Sequence, residues 1–438
     1  MPNLASHVPV LSQVRDNSIK CPGIIFFPKN NLKIMTECTE HSIFLRNLVE
    51  VNQRAGVDSE VLDLIESYAR LRLGRNREVD FYNCSRPVSE KDQDLRAFLE
   101  KNKNLDERTR NFLVAYYQEL KDRHLCCIFS SDHLAHLLQT SLPRLHALTR
   151  DSRNYHVFTI KKSSGADRII QAPHKQLKTV QRKILSTILH PVPLNKYAEG
   201  FRKKRSILTN ATHHVNKKVI VKLDIKDFFP SIDSNRVFGM YLHLGYPRRV
   251  AQLLTDLSTV QKKLPTGAPT SPTIANIISR RLDKRFVRLG MKTDFTYSRY
   301  ADDITISSDT DNILKMIPFF KEIIHDEGFT VNEGKIRILR SGSRQSVTGV
   351  VVNEKPNIKR REIKKLRAVL HNSKRGSLHK QAAIWAMREK GLKNYRSYSV
   401  VDFYQSLLAK IHFVRMINEK AGNTLLADFY RIPWPVIT

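Results

Sequence analysis

The chain has 438 residues, of which 74 are Lys or Arg and 42 are Asp or Glu, so its formal net charge is +32. A hydrophobic fraction of 41% and a charged fraction of 26% are typical of a folded protein of about two to four domains. The five cysteines have no CxxC spacing, and no apolar run approaches the roughly 18 residues of a membrane span. This composition excludes a zinc module, a disulfide scaffold and a membrane-spanning protein, and we expect a cytoplasmic protein with no membrane partner.

Helical periodicity dominates the region before residue 130. Apolar residues recur at three- and four-residue spacing over 59–71 and again over 105–125. We expect residues 1–130 to form an α-helical accessory region. A boundary is predicted near Ser130, where Ser131 would cap a further apolar-periodic helix.

Strands and helices alternate after this boundary, as in an α+β protein. Strands are predicted at 155–160 and 168–170 around a turn at 163–165, and a helix at 176–188. Ser271 followed by Pro272 predicts another helix, with the serine as its N-cap. Residues 354–438 are predicted to be helical and basic.

The positive charge is confined to the later part of the chain. Residues 1–130 contain 19 basic and 18 acidic residues, whereas residues 131–438 contain 55 and 24. An excess of this size predicts a polyanionic partner, because each neutralised phosphate releases counterions. A nucleic acid is favoured over an anionic membrane, since a membrane-surface segment would concentrate its basic residues on one amphipathic helix.

Three carboxylates mark a candidate catalytic centre. Asp224 ends an apolar strand predicted over 219–225, and Asp302 and Asp303 occupy the tip of a predicted β-hairpin. Taken singly, each is equally well explained as a turn or cap residue. Together they place like charges beside core strands, which is unfavourable unless a cation compensates them. Such oxygen ligands suit two Mg²⁺ ions that promote in-line phosphoryl displacement, with a nucleic-acid end and a nucleoside triphosphate as the natural substrates.

Three motifs follow one another in a consistent order in this basic region. They are LDIKDFFPSI at 223–232, GAPTSP at 267–272 and YADD at 300–303. In this order they resemble the palm of reverse transcriptases, in the bacterial retron group. The resemblance implies a right-hand polymerase fold, with fingers and palm over 131–353, a thumb over 354–438 and the helical region as an N-terminal extension.

The resemblance also assigns roles around the carboxylates. It implies that Asp224, Asp302 and Asp303 are the catalytic residues and bind two Mg²⁺ ions, with Mn²⁺ as an alternative. Phe229 matches the aromatic residue that crowds the sugar 2′ carbon and so favours deoxynucleotides. An ordinary core aromatic would look the same in the sequence.

Four further residues are implied to bind the nucleotide. Lys161 and Arg168 match the fingers residues that hold the triphosphate, although two cations across a turn are also common on a solvated hairpin. Gly267 belongs to the loop beside the nucleotide, and Lys335 fits the palm motif whose lysine can protonate the pyrophosphate leaving group. Relatives commonly have Gln before this glycine, and Thr266 in its place puts that direct contact in doubt.

Two short elements point to retrons in particular. The segment NATHH at 210–214 fits an Asn-Ala-x-x-His pattern, and VTG at 347–349 fits an element found after the palm. The resemblance implies that these residues bind nucleic acid: Asn210, His214, Val347, Thr348 and Gly349. Without it, the histidine pair would be interpreted as a core pair or as half of a metal site.

The function implied is RNA-directed DNA synthesis. In retrons the template is a dedicated structured non-coding RNA that also primes synthesis through a guanosine 2′-hydroxyl. The expected partners are therefore dNTPs, this RNA and its RNA-linked single-stranded DNA product (msDNA). An effector protein that acts with the enzyme in antiphage defence is also expected. Two alternatives remain. A group II intron-like or other bacterial reverse transcriptase is disfavoured by the short cysteine-free segment after Asn353. An RNA-binding scaffold that sequesters an effector is disfavoured by the intact carboxylates.

Overall fold

The computed structural model describes residues 52–53, 56–73, 93–150, 152–161, 165, 167–391 and 398–435. All of these belong to one compact unit, Val49–Thr438. Of the predicted helical region, 1–51, 54–55 and 74–92 lie outside the described residues, as do residues 163–164 of the predicted turn. Among the helices in the described ranges, none is long and apolar enough to cross a membrane.

Helices form the described part of the chain before the first strand. Their bounds are Ser59–Leu73 (α1), Gln93–Lys101 (α2), Glu107–Asp122 (α3), Ser131–Leu137 (α4) and Leu142–Arg150 (α5). The carboxylate of Asp106 caps α3 by accepting a hydrogen bond from the backbone N–H of Thr109. The ring of Tyr68 packs against Phe112 and Tyr116, with centroids 5.0 and 5.1 Å away. Helical structure is therefore confirmed in both segments where periodicity predicts it.

A two-stranded hairpin follows α5. Strands β1 (Tyr155–Lys161) and β2 (Asp167–Pro173) pair antiparallel, so the two predicted strands are confirmed. The predicted helix after them is α6 (Lys175–Ile184), which continues as one π-helical turn over Leu185–Leu189. Most side chains of the hairpin are exposed. It projects from the core rather than contributing to it.

A four-stranded antiparallel sheet forms the centre of the molecule, in the order β4-β5-β3-β6. Its strands are Val219–Asp224 (β3), Thr296–Tyr300 (β4), Asp303–Ser308 (β5) and Arg337–Arg340 (β6). Val219, Ile220 and Val221 are completely buried, as expected for a central strand covered on both faces. Helix Ile207–Thr212 (α7) precedes this sheet, and the helices between its strands are Ser234–Leu244 (α8), Arg248–Ser258 (α9), Ser271–Ile278 (α10), Arg280–Thr293 (α11), Asn312–Lys315 (α12) and Ile317–Asp326 (α13).

The N-terminal helices are bound directly to this central part. The backbone N–H of Arg249 in α9 donates to the carboxylate of Asp63 in α1 at 2.8 Å, and that of Arg248 donates to the hydroxyl of Ser67 at 3.0 Å. Helix α1 therefore belongs to the same compact unit as the sheet. The division at residues 130 and 353 stays a prediction.

The C-terminal segment forms a second apolar core beside the sheet. It consists of the hairpin Ser346–Val347 (β7) and Val350–Val351 (β8) and of helices Arg360–Arg375 (α14), Leu378–Lys390 (α15), Val400–Ile417 (α16) and Glu419–Tyr430 (α17). Trp385, Phe403 and Phe429 are buried within it. A Cβ on Gly422 would lie 2.2 Å from the Cα of Arg415, so glycine permits α16 and α17 to approach this closely. The helical character predicted for this segment is confirmed.

Two predicted helix starts are wrong by one residue. Ser130 caps α4 by accepting a hydrogen bond from the N–H of His133, and Ser131 is already helical. Thr270 precedes α10, and Ser271 is its first residue. The helix that begins at Ser271 ends at Ile278, and a second helix, α11, begins at Arg280. Adjacent Ser and Thr residues are comparable caps by composition, and only local backbone geometry decides between them.

Candidate active site

The three predicted carboxylates meet at one end of the sheet. Asp224 is the last residue of β3 and lies directly opposite Asp303, the first residue of β5. Asp302 occupies the β4–β5 turn, where its carbonyl accepts a hydrogen bond from the N–H of Ile225 at 2.9 Å. Ala301 has a φ of +57°, which only a small or adaptable residue adopts readily. The strand pairing and this tight turn thus bring the carboxylates together.

Two lysines supply positive charge at the carboxylates. The ammonium group of Lys335 donates to both oxygens of Asp224, at 3.0 and 2.8 Å. Lys222 forms an ion pair with Asp303 at 2.9 Å. No motif in the sequence identified Lys222, although its position two residues before Asp224 puts both on the same face of β3.

Burial raises the pKa of Asp302, and the charges of Asp224 and Asp303 raise it further. Burial also raises the pKa of Asp303, and the positive charge of Lys222 opposes that shift. Both directions indicate that the site favours an additional cation. Among the described residues, no three His, Cys, Asp or Glu side chains are close enough to count as a preformed metal cluster. The donor chemistry nevertheless fits hard divalent ions, since carboxylate oxygens are their preferred ligands.

A cleft of about 670 Å³ opens in front of the carboxylates. Five of the predicted site residues line it: Asp224, Asp302, Arg168, Phe229 and Lys335. Arg168 reaches the cleft from strand β2, whereas Lys161 pairs with Asp167 near the exposed tip of the hairpin at 2.5 Å. The structure therefore brings Arg168 to the site and leaves Lys161 at its edge.

Two adjacent phenylalanines have different environments. Both contribute to the cleft wall, but Phe228 is buried at 5% exposure, whereas Phe229 is half-buried. The ring of Phe229 lies 6.0 Å from that of Phe201, which also lines the cleft. Phe228 therefore belongs to the core, and the ring of Phe229 is placed to limit the size of a ligand. No motif in the sequence had identified Phe201.

Thr266 binds the loop to the hairpin. Its hydroxyl donates to the carbonyl of Ile169 at 2.8 Å and accepts from the N–H of Gln171 at 3.4 Å. A Cβ on Gly267 would lie 2.6 Å from the carbonyl oxygen of Gln171, so glycine is required for this close approach. Thr266 and Gly267 thus connect the loop to the strand that carries Arg168.

A buried arginine supports the turn that carries Asp302. Arg299 and Asp283 are both completely buried and form a two-pronged ion pair, with both N–O distances 2.8 Å. Arg299 also donates to the carbonyl of Ala301 at 3.1 Å and to the side chain of Asn276 at 3.0 Å. Although burial acts to lower it, Asp283 raises the pKa of Arg299 well above its usual value, so the guanidinium is charged.

A glycine lies against the same turn. A Cβ on Gly200 would come within 2.6 Å of the backbone nitrogen of Ala301. The amide of Asn276 donates to the carbonyl of Gly200 at 2.9 Å, which joins this glycine to the arginine network. The sequence shows Arg299 on a strand, but it does not show which helix supplies the buried acid.

The residues predicted to bind nucleic acid differ in exposure. Asn210, His214 and Val347 are completely buried, whereas Thr348 is half-buried and Gly349 is exposed. Burial gives the first three no surface to offer to a nucleic acid. A direct contact therefore stays a prediction only for Thr348 and Gly349.

Comparison with known proteins gives mutually consistent matches. The family model for reverse transcriptase (RNA-dependent DNA polymerase) matches residues 160–366. The retron Mx65 reverse transcriptase of Myxococcus xanthus is 38% identical, and its match covers 53% of this chain and 58% of the Mx65 enzyme. The retron Mx162 reverse transcriptase of the same organism is 37% identical, and its match covers 56% of this chain and 59% of the Mx162 enzyme. The retron Ec86 reverse transcriptase of Escherichia coli is 37% identical over 52% of this chain and 72% of its own length.

Among solved structures, a telomerase from Candida albicans in complex with a fragment of telomeric RNA matches 89% of this chain and 85% of its own, with 11% identity and a TM-score of 0.37.

Proposed function

Since the chain belongs to the retron reverse transcriptases and has their right-hand polymerase fold, we propose that it is an RNA-directed DNA polymerase. The observation that supports this most directly is the composition of the cleft, where Asp224 and Asp302 face Arg168 and Phe229. Acidic residues for metal ions, a cation for phosphates and a ring for the sugar are the groups that nucleotide transfer requires. The identity to retron enzymes favours this family over group II intron-like enzymes.

We propose that Asp224, Asp302 and Asp303 hold two Mg²⁺ ions, with Mn²⁺ as an alternative. When bound, such ions activate the attacking hydroxyl and stabilise the leaving oxygen. A cation on Asp224 would replace the ammonium group of Lys335, which would then be free to bind the phosphates and donate a proton to pyrophosphate. The Lys335–Asp224 ion pair thus supports a dual role for this lysine.

We assign the nucleotide contacts to the walls of the cleft. Arg168, with Lys161 at the hairpin tip, would bind the triphosphate of the incoming dNTP. Phe229 would exclude a ribose 2′-hydroxyl by its bulk, and Gly267 lets the loop approach strand β2 closely enough to complete the pocket. The rest of the positive charge in residues 131–438 would bind the RNA and its DNA product.

The biological setting is part of the same proposal. We propose that a cognate structured non-coding RNA is both template and primer, and that the product is an RNA-linked single-stranded DNA (msDNA). A partner effector protein in antiphage defence and a cytoplasmic location are the setting expected for this group. Membership of the retron group supports these assignments.

The test is polymerisation by the purified full-length chain. With a structured RNA, dNTPs and Mg²⁺, we expect DNA synthesis that EDTA abolishes. Asp302→Asn and Asp303→Asn should each reduce synthesis at least about 100-fold, since metal-ion catalysis contributes several kcal/mol. RNA affinity should stay within about twofold of wild type, because one carboxylate barely changes the basic surface.

Asp311→Asn is the matched control, since Asp311 is exposed and pairs only with Arg340 in the described structure. It should polymerise normally. Synthesis in EDTA, or full activity in both site variants, would contradict the metal assignment. RNA binding without any synthesis by the wild type would favour the scaffold alternative, and a co-purifying short DNA whose mobility shifts after ribonuclease treatment would support the retron product.

A further inference from the structure

A buried polar network connects the β4–β5 hairpin to the β7–β8 turn. His214 is completely buried, and its two ring nitrogens lie 2.7 Å from the hydroxyl of Ser307 and 2.8 Å from that of Ser298. Ser307 is on β5 and Ser298 on β4, so one imidazole bridges both strands that flank Asp302 and Asp303. Four residues earlier, Asn210 contacts both Ser298 and Thr348.

The hydrogen bonds of this network can be assigned a direction. The hydroxyl of Thr348 donates to the carbonyl of Ile207, so it accepts from the amide of Asn210 at 3.4 Å. The hydroxyl of Ser298 donates to the amide oxygen of Asn210 at 2.6 Å, so it must accept from Nε2 of His214.

The remaining ring nitrogen of His214 completes the assignment. With Nε2 carrying the proton, Nδ1 accepts from the hydroxyl of Ser307. Each of the three hydroxyls then donates once, and those of Ser298 and Thr348 also accept, so the polar side chains satisfy one another in series. The imidazole must be neutral for this arrangement, and burial lowers the pKa of His214 to about 3.

The network ends at the base of the C-terminal helices. Val347 and Val350, which flank Thr348 and Gly349, are completely buried in the same apolar cluster as Phe403 and Leu407 of α16. Helix α7 contributes Ala211 to that cluster, between Asn210 and His214. The same short segment therefore contacts the strands of the active site with its polar side chains and joins the C-terminal apolar cluster with its apolar one.

We infer that Asn210, His214 and Thr348 are positioning residues, which set the hairpin carrying Asp302 and Asp303 relative to the C-terminal helices. This inference rests on the proposed function, because its main consequence concerns the rate of polymerisation. A buried and fully satisfied network fixes one arrangement, since breaking any link leaves a polar group without a partner. These residues thus act through Ser298 and Ser307, and the complete burial of Asn210 and His214 leaves those two no surface with which to bind the RNA.

The test removes one link at each end of the network in the full-length chain. Thr348→Val removes the acceptor of Asn210, and Ser307→Ala removes the donor to His214. Each should lower kcat about three- to tenfold at saturating RNA and dNTP, since Thr348→Val removes the hydrogen bonds to Asn210 and Ile207 and Ser307→Ala removes the one to His214. The Kd for RNA should stay within about twofold of wild type, and Thr348→Ser should restore kcat.

The matched control is Thr212→Val, because the hydroxyl of Thr212 is exposed and bonds only to Leu208 of its own helix. It should leave kcat unchanged. A fall in RNA affinity with normal kcat at saturating RNA would overturn the inference in favour of a nucleic-acid contact. Unchanged kcat in both Thr348→Val and Ser307→Ala would overturn it as well, and Ser307→Ala alone decides if Thr348→Val does not fold.

Amide hydrogen exchange over 298–308 tests the network without polymerisation. Protection of these amides should fall in Thr348→Val and return in Thr348→Ser. If the wild type does not polymerise but this pattern is observed, the proposed function fails and the positioning network stands. If the wild type polymerises and the exchange pattern is unaltered, the network is refuted and the function stands.

Discussion

Replacing Arg299 by methionine should destabilise the protein strongly. The substitution keeps most of the side-chain volume but leaves the carboxylate of Asp283 completely buried, with the hydroxyl of Tyr297 as its remaining side-chain donor at 2.8 Å. Loss of one partner of a buried ion pair costs about 3–5 kcal/mol of unfolding free energy. This is a large share of the 5–15 kcal/mol that is typical for a folded protein.

The double variant Arg299→Met/Asp283→Asn separates charge from hydrogen bonding. Asparagine still accepts from Tyr297 and carries no charge, so the remaining loss is that of neutral polar groups left without a partner, about 1–3 kcal/mol. We therefore expect the double variant to be about 2 kcal/mol more stable than Arg299→Met. Both should have reduced kcat, because the carbonyl of Ala301 has lost its guanidinium donor in each.

The assay is urea denaturation followed by circular dichroism, with m-values compared to confirm that the same transition is measured. Arg340→Met is the control, since Arg340 pairs with Asp311 on the surface, where both side chains are more than half exposed, and the variant should lose at most about 1 kcal/mol. A loss below about 1 kcal/mol for Arg299→Met would refute the buried-pair reasoning. A normal kcat in the double variant would refute the conclusion that Arg299 supports the turn that carries Asp302.

Three further outcomes are expected. Phe229→Ala should reduce the preference for dNTPs over ribonucleotides by about tenfold or more, measured as the ratio of kcat/KM values on one primer-template. An unchanged ratio with retained activity would show that the ring of Phe229 only packs against its neighbours and does not select the sugar. Thr266→Val should raise the KM for dNTPs about two- to tenfold, while Thr266→Ser should not, because the lost hydroxyl holds β2 and its Arg168 against the loop. The pKa of His214 is about 3 in the folded state, against an ordinary value of 6.5. As the pH falls, the imidazole is therefore protonated in the unfolded chain before it is protonated in the folded one. The contribution of His214 to the free energy of unfolding is full above pH 6.5 and falls by about 1.4 kcal/mol per pH unit toward pH 3. In urea titrations His214→Gln should remove that slope, and an unaltered slope would mean that this imidazole is not the group responsible.

Much of the site could be predicted from the sequence because it lies in continuous motifs. Asp224 follows an unbroken apolar strand, and Asp302 and Asp303 lie where two alternating strands meet, so their convergence needs only the pairing of β3 with β5. The same local logic predicted the hairpin that carries Arg168. The local pattern of apolar and polar residues places neighbouring residues on the same strand or turn, and this placement depends little on how distant segments pack.

The supporting contacts could not be predicted, because they join distant segments. Arg299 and Asp283 look like ordinary charged residues until a helix is placed against a strand. The hydroxyl of Thr266 meets β2 across nearly a hundred residues of sequence. Asn210 and His214 were assigned to nucleic acid from their motif, and only the packing of α7 shows that their polar atoms face inward.

The contact between Gly200 and the turn at Ala301 restricts how the sequence can diverge. Every single-base change that alters a glycine codon either ends translation or adds a side chain, and a Cβ at position 200 would meet backbone atoms that cannot rotate away. Gly342, by contrast, has open space where a Cβ would be built. A comprehensive substitution library should therefore tolerate almost any residue at 342 and almost none at 200. A loop position that no motif singles out would then rank among the least replaceable in the chain.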